Sequence, residues 1–397
     1  MKRVIALLGT LVVLAALVGP SAAAPAPNTS AQSSLNWLRS QQQPDGGFAG
    51  LGSSSDAGTT ASAAIAIAAA GVDPSLVLND GHAVTDFLAA STSSYGASTG
   101  GAANLALAAY ASGLNPHSLG GVDLIARIQS AYNASTGLYD PQLYVDAYAV
   151  LALEAARATV PPAALDALAN AQAADGGWSY TGSKEKGQSD TNTTAVVIEA
   201  LVAGGRTNSP VESAARSYLH TAQTADGSFV YQVGAENPPV GDANSTALVV
   251  QALVALGQDP NSATWGHAVD ALRHFENADG AFRYRDDTPG DNLLATVQAI
   301  PALMLEPLPI APQTAFGHAT VEQRAMQPEK ARPGCTYFAV VGHNLCAGFQ
   351  AYWNQFGGLA TYGYPLTEEF HGCDPQGWCG TMQYFERAIF EWHPGIA

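Results

Sequence analysis

Charge is scarce along this 397-residue chain, and positive charge is the scarcest: 16 Lys and Arg stand against 33 Asp and Glu, which leaves a net charge of −17. A chain this acidic lacks the basic face that a phosphate backbone requires, so nucleic acid is excluded as the expected partner. Alanine and glycine are abundant instead. This composition predicts close-packed helices with small contact residues rather than a disordered acidic chain.

Cysteine is absent before residue 335. An even number of cysteines in one short region of an exported chain indicates disulfides that staple a module with little core of its own. A zinc site with His371 and Asp374 is the alternative, but the spacing contains no CxxC pair. We therefore predict two disulfides, with the pairing left open, among Cys335, Cys346, Cys373 and Cys379.

Long hydrophobic runs are missing too, except at the N-terminus. Residues 1–24 read "MKR", then an apolar run, then small residues, which is typical of a secretory signal peptide cleaved near Ala24. A membrane anchor is the competing interpretation, but the run is short for a spanning helix. We predict a secreted or cell-surface protein with no transmembrane helix in the mature chain.

Internal repeats dominate the rest of the chain. Three segments superpose without gaps: "SDAGTTASAAIAIAAAGVDP" from Ser55, "SDTNTTAVVIEALVAGG" from Ser189 and "GDANSTALVVQALVALGQDP" from Gly241. Each opens with Asp and Thr-Ala, continues through apolar residues and stops at Gly, which is typical of a capped, buried helix. Weaker copies bring the number to six. The column of Thr246 then holds Thr60, Ala102, Asp146, Thr194, Thr246 and Leu293.

An amphipathic segment precedes each buried helix. Three of these segments end in a Gln-x-x-x-Gly-x-aromatic turn, "QQPDGGF" from Gln42, "QAADGGW" from Gln172 and "QTADGSF" from Gln223, and the others end in the variants "ENADGAF", "SSYG" and "NASTGLY". A helix that is apolar all round has to be covered, and an amphipathic helix can cover it. Six such hairpins predict an all-α, (α/α)6 toroid. An open solenoid is the alternative, but neither end repeat has the polar character of a cap.

The chain divides accordingly into five parts. The last of them is rich in aromatics and Gly, which indicates a turn-rich, disulfide-stapled module with some β structure. The chain ends abruptly at Ala397, so a truncated module is one interpretation. The parts are a signal peptide at 1–24, an N-terminal linker at 25–33, the toroid at 34–306, a Pro-rich linker at 307–332 and the module at 333–397.

The spacing of Gln172, Gly176 and Trp178, with its Phe-containing copies, resembles the QW repeats of the squalene cyclase and prenyltransferase superfamily. Segments such as Asp56 to Ala61 are similar to the helical domain of transcobalamin and intrinsic factor, which belongs to the same superfamily. The resemblance implies an α/α toroid and makes a corrinoid one expected ligand. No cofactor is predicted.

The sequence departs from the catalytic motifs of these families. Squalene-hopene-type cyclases protonate an alkene with the middle acid of a D-x-D-D-T-A segment, and here "DTNTTA" puts Asn192 and Thr193 in place of acids. Protein prenyltransferases use a zinc-bound Cys, and the toroid has none, so no metal site is predicted. Toroidal glycosidases need two carboxylates. Glu199, Asp146 and Asp291 are weak catalytic candidates that no motif pairs.

The inner helices carry polar residues on the face formed by positions i, i+4 and i+7, where a buried helix could have been apolar. We interpret this face as the lining of a central cavity. The alternative is that these residues are helix caps or hydrogen-bond across helix contacts. The candidate ligand-binding residues are Tyr144, Tyr148, Asn192, Glu199, Asn244, Gln251, Asp291 and Gln298.

The tail segments "YWNQFGGLATYGYPLTEEF" and "QYFERAIFEWHP" resemble the LGFP-type repeats of bacterial cell-surface proteins, which implies docking to the cell envelope. The expected function is therefore binding of a small ligand (a corrinoid, a polyprenyl lipid or a glycan) by a secreted or surface-held toroid. Two alternatives stay open: a divergent terpene cyclase-like or carbohydrate-active enzyme, and a purely structural surface protein.

Overall fold

A computed structural model describes residues 28–50, 52–206, 210–312, 319–373 and 378–393. The predicted signal peptide, the start of the N-terminal linker and Asp374 lie outside the described residues. No helix within the described ranges is long and apolar enough to cross a bilayer.

Twelve helices of the described chain alternate between an outer and an inner position. The outer helices are buried along one side, and the Ala- and Val-rich inner helices are buried almost all round, as their composition predicts. The outer helices are α1 (Thr29–Gln41), α3 (Val84–Tyr95), α5 (Leu124–Ser130), α7 (Pro162–Asn170), α9 (Pro210–Ala222) and α11 (Ala268–Arg273). The inner helices are α2 (Ala57–Ala69), α4 (Thr99–Ala111), α6 (Leu143–Ala155), α8 (Thr191–Ala203), α10 (Ala243–Ala255) and α12 (Leu293–Met304).

The inner helices form a closed ring. Each packs against the next inner helix along the chain, and α12 packs back against α2. The outer helix α1 lies on α12, where the side-chain amide of Asn28 donates to the Leu303 carbonyl at 2.7 Å. This closure confirms the (α/α)6 toroid and is incompatible with an open solenoid.

The inner helices begin at capping residues. Asp56, Asp190 and Asp242 have extended backbones, and each carboxylate accepts the N–H three residues further on at 2.7 to 2.8 Å. Side-chain caps of this kind stabilise a helix by about 1 kcal/mol. Because outer and inner helices alternate in hairpins, the N-terminal ends of the inner helices lie together at one end of the ring.

Where the Gln-x-x-x-Gly-x-aromatic turn occurs, it ties one outer helix to the first turn of the next or to the segment that leads into it. The Gln172 amide donates to the carbonyls of Gly176 and Val211, both at 2.8 Å. Gly176 has a φ of +92°, and a Cβ on it would lie 2.3 Å from the Ala214 carbonyl oxygen on α9. Glycine alone tolerates both this conformation and this approach. Trp178 is fully buried beside the turn, so these residues are structural.

In five of the six repeats, a buried side-chain oxygen joins the aromatic residue of the turn to the following inner helix. A threonine hydroxyl accepts that residue's backbone N–H at 2.8 to 3.0 Å in four repeats, at Thr60, Thr194, Thr246 and Thr296. Asp146 does the same in the third repeat, where its Oδ1 accepts the Tyr139 N–H at 2.6 Å.

The sixth repeat corrects one part of the sequence-based alignment. Thr296, not Leu293, is the structural counterpart of Thr246, so the predicted register is wrong by three residues. A first hairpin, of β1 (Leu78–Asn79) and β2 (His82–Ala83), precedes α3. The cause of the register error is a second hairpin, of β3 (Arg283–Arg285) and β4 (Thr288–Asp291), which follows the turn and ends on Asp291. The side chain that caps α12 belongs to the next residue, Asn292.

The C-terminal module contains short helices and antiparallel strands. Cys335 is bonded to Cys346 across one hairpin and Cys373 to Cys379 across another, which confirms two disulfides and leaves these thiols unable to bind zinc. Its helices are α14 (Ala347–Gln355) and α15 (Gly358–Tyr362), and α13 (Val321–Ala325) precedes the module in the predicted Pro-rich linker. The strands are β5 (Thr336–Phe338) paired with β6 (His343–Leu345), and β7 (Phe370–Cys373), β8 (Cys379–Tyr384) and β9 (Ile389–Glu391) in one sheet.

The end of the predicted Pro-rich linker lies on the toroid. Lys330 Nζ donates to the Ser40 carbonyl at 2.8 Å, at the end of α1. The Arg324 guanidinium in α13 donates to the carboxylate of Asp86 in α3 at 2.6 Å. This segment therefore fixes the module to the outer surface near the first two outer helices.

We expect Gly176→Ala to destabilise the toroid by a few kcal/mol, because it adds a backbone clash to the roughly 1–2 kcal/mol that a left-handed conformation costs an L-residue. The matched control is Gly187→Ala, where φ is +82° but nothing lies within 4 Å of the added Cβ. Urea denaturation of both variants checks this. Equal losses for the two substitutions would contradict the role of the close approach.

Candidate functional site

A cavity of about 440 Å³ opens where the N-terminal ends of the inner helices meet. Its wall contains five tyrosines and three amides, and few aliphatic side chains. These residues are Tyr95, Tyr144, Tyr148, Tyr180, Tyr231, Asn104, Asn192 and Gln298. Four of the eight predicted ligand-binding residues are thus brought together: Tyr144, Tyr148, Asn192 and Gln298.

Two tyrosines of α6 form one wall. The rings of Tyr144 and Tyr148 stack with their centroids 5.0 Å apart, and the Tyr144 hydroxyl donates to the Tyr148 hydroxyl at 3.3 Å. Burial raises the pKa of Tyr148 to about 12 and that of Tyr144 well above its ordinary value. Both phenols are therefore neutral hydrogen-bonding groups at physiological pH.

The amides of the lining have unused hydrogen-bonding capacity. The Asn104 amide nitrogen donates to the Tyr95 hydroxyl and the Gly58 carbonyl, both at 3.3 Å. The side-chain oxygens of Asn104 and Asn192 have no hydrogen-bond partner among the described residues. A buried acceptor without a donor is costly, so these oxygens favour a bound molecule or water that can donate.

Asp190 is the carboxylate in the cavity wall, and its oxygens are occupied. Oδ1 accepts the Thr193 N–H at 2.7 Å and Oδ2 accepts the Tyr180 N–H at 3.1 Å. Burial raises the pKa of Asp190, while these backbone donors lower it. Its geometry is that of a helix cap that also fixes the rim residue Tyr180.

Glu199 and Gln251 lie deeper, about two helical turns further along α8 and α10, and do not line the cavity. Glu199 is 1% exposed, and its Oε1 accepts the Leu308 N–H at 3.0 Å. Leu308 and Ile310 are buried in the same core. The chain that leaves α12 therefore covers this end of the ring, and Glu199 holds it there.

Asp146 and Asp291 also lie away from the cavity. The backbone N–H groups of Tyr139 and Asp140 point at Asp146 Oδ1, and burial nevertheless raises the pKa of this carboxyl to about 7. Asp291 is exposed on β4, where it accepts from the Asn277 side chain at 2.8 Å. The sequence alignment predicts Asp291 on the inner face because its register in the sixth repeat is wrong by three residues. Leu294 occupies this inner-face position instead.

Asn244 is placed behind the cavity wall. Its amide donates to the Gln298 side-chain oxygen at 2.6 Å, so it positions a lining residue without lining the cavity itself. Gln251 makes one long contact, from its amide to the Ala247 carbonyl at 3.4 Å. Asn244 and Gln251 therefore fit the alternative interpretation, in which polar residues of the inner helices hydrogen-bond across and along those helices.

Three tyrosines of the lining were not among the predicted residues. Tyr180 and Tyr231 follow the aromatic residues Trp178 and Phe229 of their turns by two positions, and both are partly exposed at the rim. Tyr95 ends the outer helix α3. The repeated aromatic-x-Tyr spacing is the sequence signal for Tyr180 and Tyr231, which lie in turns and not on the inner helices.

Comparison with known proteins identifies the helical domain. A model of the prenyltransferase alpha-alpha toroid domain matches residues 8–104 and 141–239. No curated protein matches the chain significantly. These two segments are thus similar to the prenyltransferase α/α toroid domain. The LGFP likeness of the C-terminal module stays a prediction.

Solved structures agree with this fold. A type II terpene cyclase from Scytonema, without ligand, has a TM-score of 0.52 and 16% identity over 70% of this chain and 96% of its own. A variant of that cyclase in complex with its substrate, geranylgeranyl dihydroxybenzoate, gives 0.50 with the same identity and coverage. A protein from Actinoplanes is 18% identical, with a TM-score of 0.50 over 70% of this chain and 99% of its own. At such identities the likeness shows the fold alone.

We expect Glu199→Gln to change how stability depends on pH. Burial raises the pKa of Glu199 from 4.5 to about 8, so its contribution to stability is full below pH 4.5 and is lost as the pH rises through 8. The amide keeps an acceptor for Leu308 but does not ionise. Relative to the wild type, the variant should gain about 1–4 kcal/mol of unfolding free energy between pH 5 and pH 8.5.

Urea denaturation at several pH values checks this expectation, with the exposed Glu185→Gln as the control. If the unfolding free energies of the wild type and of Glu199→Gln change equally from pH 5 to pH 8.5, the assignment of Glu199 as a buried carboxyl is contradicted.

Proposed function

We propose that this protein is exported and that its toroid binds a small ligand in the cavity at the N-terminal ends of the inner helices. The observation that carries the proposal is the chemistry of the wall: neutral phenols and amides converge on one opening, and two amide oxygens there have no partner among the described residues. Concave sites with a few converging polar groups are the usual form of small-molecule sites.

The positions of the predicted acids favour binding over catalysis. Asp146 and Glu199 accept backbone N–H groups away from the cavity, Asp291 is on the surface, and Asp190 caps a helix. Asn192 stands in the cavity wall where the cyclase motif has its acid, and an amide is no proton donor for an alkene. The ligand classes are a glycan, a polyprenyl lipid or a corrinoid.

The C-terminal module supports a role outside the cytoplasm. Its two disulfides fit an oxidising compartment. Tyr352, Trp392 and Ile389 are about half exposed around a groove of about 530 Å³. Exposed apolar patches of this kind mark interaction surfaces. We therefore assign the module the task of holding the toroid at the cell envelope.

An enzyme is the second candidate, because the raised pKa of Glu199 keeps a protonated acid in the ring at neutral pH. Turnover of a polyprene or a glycan that Glu199→Gln abolishes, with the fold intact by circular dichroism, would replace binding with catalysis. We expect no such turnover, since the cavity does not reach Glu199.

Native mass spectrometry tests the binding proposal. The secreted protein, purified from its own host without added ligand, should carry an additional small-molecule mass that is lost on unfolding. A bare polypeptide mass in repeated preparations would contradict the proposal and favour a structural surface protein.

A further inference from the structure

We infer that the ligand of the cavity is a neutral, polyhydroxylated molecule, a saccharide unit, rather than a polyprenyl chain. This inference rests on the proposed binding function and names its ligand class. It follows from three properties of the wall: unpartnered acceptors, the absence of positive charge, and the arrangement of aromatic rings.

The unpartnered acceptors require donors. The amide oxygens of Asn104, on α4, and Asn192, on α8, belong to lining residues and have no hydrogen-bond partner among the described residues. Both oxygens are already shielded from water, and a hydrocarbon chain, which has no donor, would leave their desolvation uncompensated. Sugar hydroxyls supply donors, and they also accept from the phenols of the wall.

The charge of the wall excludes an anion. None of the described residues that line the cavity is Lys or Arg, and Asp190 is the charged side chain among them. The chain as a whole carries a net charge of −17. The helix N-termini at the mouth carry partial positive charge, but the carboxylates of Asp56, Asp190 and Asp242 already cap three of them. A diphosphate or carboxylate ligand would therefore find no cationic side chain and would be repelled by Asp190. A neutral ligand avoids this cost.

The aromatic rings offer flat surfaces at two heights. Tyr144 and Tyr148 stack inside the cavity, while Tyr180 and Tyr231 stand at the rim, 41% and 46% exposed. The C–H face of a pyranose ring packs on such rings while its hydroxyls stay free for hydrogen bonds. The cavity of about 440 Å³ is within the range of small-ligand sites.

Binding to a glycan array of neutral saccharides, followed by isothermal titration calorimetry, tests the inference on the full secreted chain. The calorimetric probes are N-acetylglucosamine, glucose and their β-1,4-linked tetramers, with geranylgeraniol and cyanocobalamin as competing classes. Monomers that bind as well as tetramers indicate free sugars as the source, and tetramers that bind better indicate the ends of polysaccharides. Either result agrees with a saccharide site.

Asn192→Leu provides the matched variant, since leucine has a similar shape without hydrogen-bonding groups. We expect it to weaken saccharide binding roughly tenfold or more, because it removes a buried polar contact. Asn170→Leu, exposed on the outer helix α7, is the control and should leave binding unchanged. Asn104→Leu is the second test, should Asn192→Leu fail to fold. Because Asn192 lies in an Asn-Thr-Thr sequon, the protein should come from a host that does not glycosylate.

The outcomes separate this inference from the proposed function. Binding of geranylgeraniol or cyanocobalamin that Asn192→Leu leaves intact or tightens would overturn the saccharide assignment and keep the binding function. An array with no bound saccharide would also overturn it. A protein that binds none of the three classes and carries no mass from its host would overturn both.

Discussion

The approach of a turn glycine to the backbone of the next outer element is the contact on which this toroid depends. In each case the glycine has a positive φ, and a Cβ would lie within about 2.5 Å of a backbone atom of the neighbour. No side chain fits this space. The pairs are Gly46 with Ala83, Gly176 with Ala214, Gly227 with Gly266, and Gly280 with Ser33. The last pair returns to the first helix, so the contact that spaces the hairpins also closes the ring.

The closed ring decides where function can reside. It brings the N-terminal ends of the inner helices to one mouth, where residues at the second or sixth position of five of these helices line the cavity. The opposite end is covered by Leu308, held by Glu199. Polar residues on one helix face therefore fall into two environments: near the mouth they line an opening, and near the floor they are sealed in the core.

Much of this was predictable from the sequence. Repetition specified the hairpins and their number, and the capping Asp and Thr residues marked the inner helices because their chemistry is local. The sequence did not predict which polar residues of an inner helix lie at the mouth of the ring and which are buried in the core. Asn192 and Glu199 share a helix face seven residues apart, about 10 Å along the axis, and only the chain after α12 decides which is buried. The predicted register of the sixth repeat is wrong because Gly290-Asp291 has the sequence that begins an inner helix in another repeat but belongs to a β-strand here. Tyr180 and Tyr231 reach the mouth from turns, where helical periodicity gives no signal.

The account's central claim is that the mouth of the ring, and neither the floor beside Glu199 nor the groove of the module, is where the protein holds its ligand. A crystal structure of the protein isolated from its own host tests this most directly. The account predicts continuous non-protein density between Tyr148 and Asn192, within hydrogen-bond distance of the Asn192 side-chain oxygen. Density confined to the module, density beside Glu199, or only isolated water peaks at the mouth would contradict it.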